Sequence, residues 1–131
     1  MKLIIFTDGG ARGNPGPAGI GVVIKDGGKT VKAYGEHIGV ATNNQAEYKA
    51  LISALQSAKE MGATEIQLFM DSELIVKQLK GEYRVRDAGL APLYLKVHNL
   101  RAGFSKFFVS HVPREKNKEA DKMVNEALDK H

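Results

Sequence analysis

The sequence predicts an α/β fold, a five-stranded mixed sheet with helices on both faces. Three features of its 131 residues predict it. Three strand-like runs come first, joined by short turns, as in an antiparallel meander. Two further strand-like runs then alternate with segments of helical period, as in a sheet with crossover helices. The first run, Leu3-Ile4-Ile5-Phe6, is apolar without alternation, which suits a central strand covered on both faces. The resulting order of elements is β-β-β-α-β-α-α-β-α.

Each element has a local reason. The first strand is expected to end near Thr7, with Asp8 at its mouth and a Gly/Pro-rich loop running to about Pro17. Ala18 to Lys25 reads as the second strand, and its Gly19 and Gly21 suggest close backbone approach. Asp26-Gly27-Gly28 is a hairpin signal, and Lys29 to Val40 reads as the third strand. Asn43 or Asn44 is expected to cap the first helix, and Gly62 to end it. Ala50, Leu51, Ala54, Leu55 and Ala58 form its apolar stripe. Thr64 to Met70 reads as the fourth strand, closed by Asp71 as the first is closed by Asp8. Asp71 or Ser72 caps a short helix to about Leu79, and Gly81 to Gly89 is irregular. Leu90 to Ala102 reads as a helix with Pro92 in its first turn. Ser105 to Val109, extendable to Val112, reads as the fifth strand. The last helix runs from about Lys118 to Leu128, with Ala120, Val124, Ala127 and Leu128 inward.

Length and composition narrow the function. The chain is expected to form one domain over residues 1–131, with enough length for a core of its own. There are no cysteines, which excludes disulfides, thiolate zinc sites and cysteine nucleophiles. No apolar run approaches the roughly eighteen residues of a membrane-spanning helix, so no membrane partner is expected, and the simplest location is cytoplasmic. The net charge of +4 favours a polyanionic partner. The cations are spread along the chain, and the nearest to a patch is Lys77, Lys80, Arg84 and Arg86 around Tyr83.

Four acids stand out by context. Asp8 and Asp71 close apolar strands, while Glu47 and Asp121 sit in the first turns of helices, on or beside apolar faces. Ligands gather at the carboxyl ends of strands in open α/β sheets. If the first and fourth strands are parallel neighbours, Asp8 and Asp71 lie side by side. Clustered carboxylates repel unless they share protons or bind cations. Hard oxygen ligands suit magnesium or manganese, and two such ions can clamp a phosphodiester. Competing motifs fail. Gly28-Lys29-Thr30 lacks the glycine a phosphate-binding loop needs at position 23, which is Val23. Ser72 has no evident triad base, and His37, His98 and His131 belong to no motif.

Four segments together carry a resemblance: Thr7-Asp8-Gly9-Gly10 with Gly13-Asn14-Pro15-Gly16, Thr42-Asn43-Asn44-Gln45-Ala46-Glu47, Met70-Asp71-Ser72, and Asn117-Lys118-Glu119-Ala120-Asp121. In this order they resemble type 1 ribonuclease H along nearly the whole chain, in a short form without the basic protrusion or any hybrid-binding domain. The resemblance implies the ribonuclease H-like fold and a monomer. It implies an endonuclease that cuts the RNA strand of RNA–DNA hybrids with two Mg2+ ions, with Mn2+ as a substitute, leaving 5′-phosphate and 3′-hydroxyl ends. Asp8, Glu47, Asp71 and Asp121 match the catalytic metal ligands. Asn14, Asn43 and Asn44 match contacts in the minor groove of the hybrid, where the 2′-hydroxyl marks RNA. Thr42 matches a contact to a DNA-strand phosphate, and Ser72 lies near the substrate. These contacts leave double-stranded RNA open as a second partner. The protrusion is replaced by the short Gly81-Glu82-Tyr83-Arg84-Val85-Arg86-Asp87, without tryptophan. Many members carry a mobile histidine upstream of the fourth acid. By residue count His111 fits. If Ser110-His111-Val112-Pro113 is instead a strand end, Arg114 takes that neighbourhood, and this second alignment is favoured because Pro113-Arg114-Glu115 looks like the short members' form.

Overall fold

The computed structural model describes residues 1–130; His131 lies outside them. Ten elements follow one another: β1 (Lys2–Ala11), β2 (Gly16–Asp26), β3 (Lys29–Ala41), α1 (Asn43–Glu60), β4 (Glu65–Met70), α2 (Glu73–Leu79), α3 (Ala91–Arg101), β5 (Lys106–His111), a 3₁₀ turn (Arg114–Lys116) and α4 (Lys118–Asp129). The five strands form one sheet in the order β3-β2-β1-β4-β5. β1 to β3 are an antiparallel meander, while β4 and β5 join in parallel. The sheet is therefore mixed, as expected. Among the described residues no helix is long and apolar enough to cross a membrane.

Two boundaries differ from expectation in ways that matter for the site. β1 does not stop at Thr7. Its parallel ladder with β4 ends there, opposite Met70, but its antiparallel ladder with β2 continues to Ala11 opposite Ala18. Asp8 thus lies inside a strand, opposite Gly21, at the level where one neighbour has ended and the other has not. Neither Asn43 nor Asn44 caps α1. Thr42 does: its hydroxyl accepts from the Gln45 N–H at 3.1 Å, and the Gln45 side chain accepts from the Thr42 N–H at 2.9 Å. This is a capping box, which meets the otherwise unpaired amides at a helix start. With the helix beginning at Asn43, Glu47 falls just past the first turn rather than within it.

The core lies between the sheet and α1 to α3. Leu3, Ile5, Val22, Ile24, Ile66, Leu68 and Met70 meet Tyr48, Leu51, Leu55, Ile75 and Val97 there. The α1 stripe expected from its spacing is buried throughout. α4 covers the opposite face over β1, β2 and β3, burying Ala120, Val124 and Leu128. Helix-to-sheet approach is closest at three glycines, Gly9, Gly21 and Gly35, the last against the Met123 carbonyl of α4. A Cβ at Gly9 would overlap the backbone of Ala46 and Glu47 on α1, and one at Gly21 would overlap the Ala120 carbonyl on α4. Both acid-bearing helices rest on the sheet backbone to backbone, one on each face.

Candidate active site

The carboxyl ends of β1 and β4 lie side by side, so Asp8 and Asp71 are neighbours. Glu47 reaches them from α1 because Gly9 lets the helix in, and its Oε1 accepts from the Gly9 N–H at 2.5 Å. Asp8 Oδ1 accepts from the same N–H at 3.0 Å. One oxygen from each of Asp8, Glu47 and Asp71 falls within 4.8 Å of the others. Asp121, in the first turn of α4, comes within hydrogen-bonding reach of Asp8 from the opposite face. All four acids line one cleft of about 360 Å³.

The electrostatics of this cluster are unfavourable as it stands. Asp8 is 8 % exposed and Glu47 6 %. Burial, then the Asp71 charge, pushes the Asp8 carboxyl up to about 7; Asp121 pushes the same way and a hydrogen bond with Glu47 opposes it. Glu47 is held well above the usual glutamate range, by burial first and then by the charges of Asp8 and Asp71, against the Gly9 N–H. Among the described residues, none of the ion pairs to lysine or arginine involves any of the four acids. Lone buried carboxylates are costly, and a bound cation is the usual remedy. The donor set fits hard divalent ions, since it offers only carboxylate oxygens at the cluster.

The other residues singled out in the sequence fall into two groups. Asn43, Asn44, Ser72 and Arg114 line the cleft with the acids. Asn14 and Thr42 stand at its edge and knit it together. Asn14 Oδ1 accepts from the Asn43 N–H at 3.1 Å, and Asn43 Oδ1 from the Ala11 N–H at 2.8 Å. Ser72 caps α2, its hydroxyl accepting from Ile75 N–H at 3.3 Å. His111 is the last residue of β5 and does not line the cleft, whereas Arg114, on the 3₁₀ turn, does.

Three features, two in the cleft and one behind it, escape a reading by motif. Arg12 lines it and pairs with Asp129 at 2.5 Å. Asn125 donates to Asp121 Oδ2 at 3.4 Å, an i to i+4 relation that spacing alone could have raised. Asn117 belongs to the fourth sequence segment, but only the structure shows its side chain on Asp71.

Comparison with known proteins agrees with this geometry. A family described as "Reverse transcriptase-like" matches residues 6–127. A protein of Halobacterium salinarum named Ribonuclease HI is 46 % identical over 129 residues, covering 98 % of this chain and 65 % of that protein. The chain spans only 36 % of the length of the mycobacterial proteins it matches at 43 % identity. Among solved structures, RNase H1 of Halobacterium salinarum is 44 % identical and superposes with a TM-score of 0.97, covering 100 % of both chains. LC11-RNase H1, solved in complex with an RNA/DNA hybrid, is 48 % identical with a TM-score of 0.93, covering 98 % of this chain and 97 % of that one. Fold, sequence and the acidic cluster agree over the whole length, and the chain belongs to the type 1 ribonuclease H family.

Proposed function

We propose that this chain hydrolyses the RNA strand of RNA–DNA hybrids with two divalent metal ions, Mg2+ or Mn2+, and leaves 5′-phosphate and 3′-hydroxyl ends. The observation that carries the reading is the cluster of Asp8, Glu47 and Asp71 oxygens within 4.8 Å, with Asp121 beside them and no lysine or arginine paired to them among the described residues. When bound, the ions supply Lewis acidity and neutralise charge for in-line attack of water on the scissile phosphate. The hybrid bound to LC11-RNase H1, 48 % identical to this chain, supports the choice of substrate.

The chain's own residues divide the remaining work. Asp8, Glu47, Asp71 and Asp121 hold the ions. Asn43 and Asn14 each give their side-chain oxygen to backbone N–H groups, which leaves their NH2 groups as donors for the minor groove of the hybrid. Asn44 and Ser72 line the cleft with the acids, and in this reading they contact sugar and phosphate. The Thr42 hydroxyl accepts from Gln45 and keeps its own hydrogen for a DNA-strand phosphate. Arg114 lines the same cleft as the acids, and in this reading its cation helps a phosphate leave. His111 is the weaker candidate for that part, being outside the cleft lining.

The test is a substrate panel. RNA–DNA hybrid, duplex RNA and duplex DNA are offered under one salt condition, with Mg2+, with Mn2+ and with chelator. Metal-dependent cutting of the RNA strand in the hybrid is expected, with end labelling giving the stated termini. Cleavage that survives chelation, or a DNA duplex cut as fast as the hybrid, would overturn the proposal. Equal cutting of duplex RNA would widen the substrate and leave the site assignment intact.

A further inference from the structure

Asn117 sits where a helix cap is expected and does not act as one. It precedes α4, a position where asparagine is favoured because its side-chain oxygen can accept from the first free amides of the helix. Its side chain makes no such bond. Instead its Nδ2 donates to the carbonyl oxygen of Thr7 at 2.9 Å and to Oδ2 of Asp71 at 3.1 Å. These two bonds use both hydrogens of the amide. The other end, Oδ1, is buried with no protein partner. A buried polar oxygen left unpaired costs free energy, so the side chain is held there for its donors.

The backbone of the same residue makes two more links. The Asn117 N–H donates to the Arg114 carbonyl at 2.9 Å, and the Asn117 carbonyl accepts from the Asp121 N–H at 3.1 Å. One residue, 1 % exposed, therefore joins the strand carrying Asp8, the carboxylate of Asp71, the turn carrying Arg114 and the first turn of the helix carrying Asp121.

We infer that Asn117 is a positioning residue for the metal ligands: it orients the Asp71 carboxylate and ties it to the β1 backbone. This rests on the four-acid metal site proposed above. Oxygens of Asp8 and Glu47 lie within 4.8 Å of an Asp71 oxygen, so the direction of the Asp71 carboxylate decides how the three can share a cation. A donor on one of its oxygens holds the group in place and leaves its remaining lone pairs toward the cleft. Partners of this kind around a metal ligand set its direction as well as its basicity.

A residue that only packs or starts a helix makes a different prediction. Asn117→Leu keeps the branching at Cγ with somewhat greater bulk, removes both donors and also removes the unpartnered oxygen. A structural role leaves Mg2+ affinity unchanged, whatever happens to stability. The positioning role weakens Mg2+ binding by about 10–100-fold. The experiment measures Mg2+ binding to substrate-free protein by calorimetry, and the rise in melting temperature that Mg2+ produces. Wild type, Asn117→Leu, Asn117→Asp and Asp71→Asn are compared, with kcat and KM on a hybrid. Both Asn117 variants are expected to bind Mg2+ more weakly, to show a smaller metal-induced rise, and to lose kcat with KM held within about twofold. In an Asp71→Asn background, Asn117→Leu should add little further loss, because the two residues act as one unit. A folded Asn117→Leu protein with wild-type Mg2+ affinity overturns the inference. Should that variant not melt cooperatively, Asn117→Asp decides, since it keeps size and cap preference but sets an acceptor against Asp71. Wild-type or tighter Mg2+ binding by it overturns the inference equally. The Asp71→Asn protein separates the two layers: wild-type Mg2+ affinity there removes the four-acid reading itself, and the role of Asn117 with it.

Discussion

Replacing Asp8 by asparagine should stabilise the metal-free protein while it destroys activity. In the folded chain the Asp8 carboxyl is pushed from 3.8 up to about 7, chiefly by burial and then by Asp71. A raised carboxyl favours the protonated folded state. Its contribution is fully present below about pH 4, the unfolded value, and is lost as pH rises through about 7. The difference of about three units corresponds to about 4 kcal/mol at pH 8, at about 1.4 kcal/mol per unit. Asparagine cannot ionise, yet it can still accept from the Gly9 N–H that Asp8 Oδ1 holds at 3.0 Å. In chelator, wild type should therefore lose stability between about pH 4 and 7 more steeply than Asp8→Asn, which keeps only the raised carboxyl of Glu47. For a domain of this size the gap at pH 8 amounts to roughly 10 °C or more in Tm. Thermal melts across that pH range, with and without Mg2+, read it directly. Mg2+ should raise the melting temperature of wild type far more than that of the variant. Activity should fall by at least about 10³-fold, since the metal interactions at stake are worth several kcal/mol. Parallel pH curves for the two proteins in chelator would refute the reasoning, because Asp8 would then carry no burden that an ion relieves.

Other perturbations follow from the same geometry. Gly21→Ala places a methyl against the Ala120 carbonyl and should cost about 1–3 kcal/mol in urea unfolding, with a loss of activity larger than stability explains, because α4 carries Asp121. Thr42→Ala removes the α1 cap and should cost about 1 kcal/mol by denaturant titration, with a higher KM for the hybrid. Arg114→Ala should lower kcat by roughly 10–100-fold, whereas His111→Ala should change it less than about twofold; steady-state kinetics on one hybrid distinguish them.

The sequence made most of the scaffold legible because its signals were local. Continuous apolar runs marked β1 and β4, and the stripe from Ala50 to Ala58 set the buried face of α1 and with it the direction of Glu47. What it hid was decided at a distance. β1 runs on through a glycine-rich stretch only because β2 keeps pairing with it as far as Ala18. The choice of Thr42 over Asn43 as the cap is a similar case. Asn43 has a competing partner in the Ala11 N–H, 32 residues away, while Thr42 finds Gln45 three residues on. The acids of the site could be named from their neighbours in sequence. Arg12 and the side chain of Asn117 could not, because their partners come from other elements of the fold.

Gly9 and Gly21 bear on how such a protein can change. At the level of Glu47 and Asp121, the helices that carry them meet the sheet main chain against main chain, with no side chain of the strand between. Volume-conserving exchanges of leucine, isoleucine or valine in the rest of the layer should leave those contacts in place. A backbone that superposes at a TM-score of 0.97 on a protein only 44 % identical is what such a construction permits. Thermostability can accordingly be sought throughout the hydrophobic layer with the cleft left in calibration, and a single methyl at either glycine is the change to avoid.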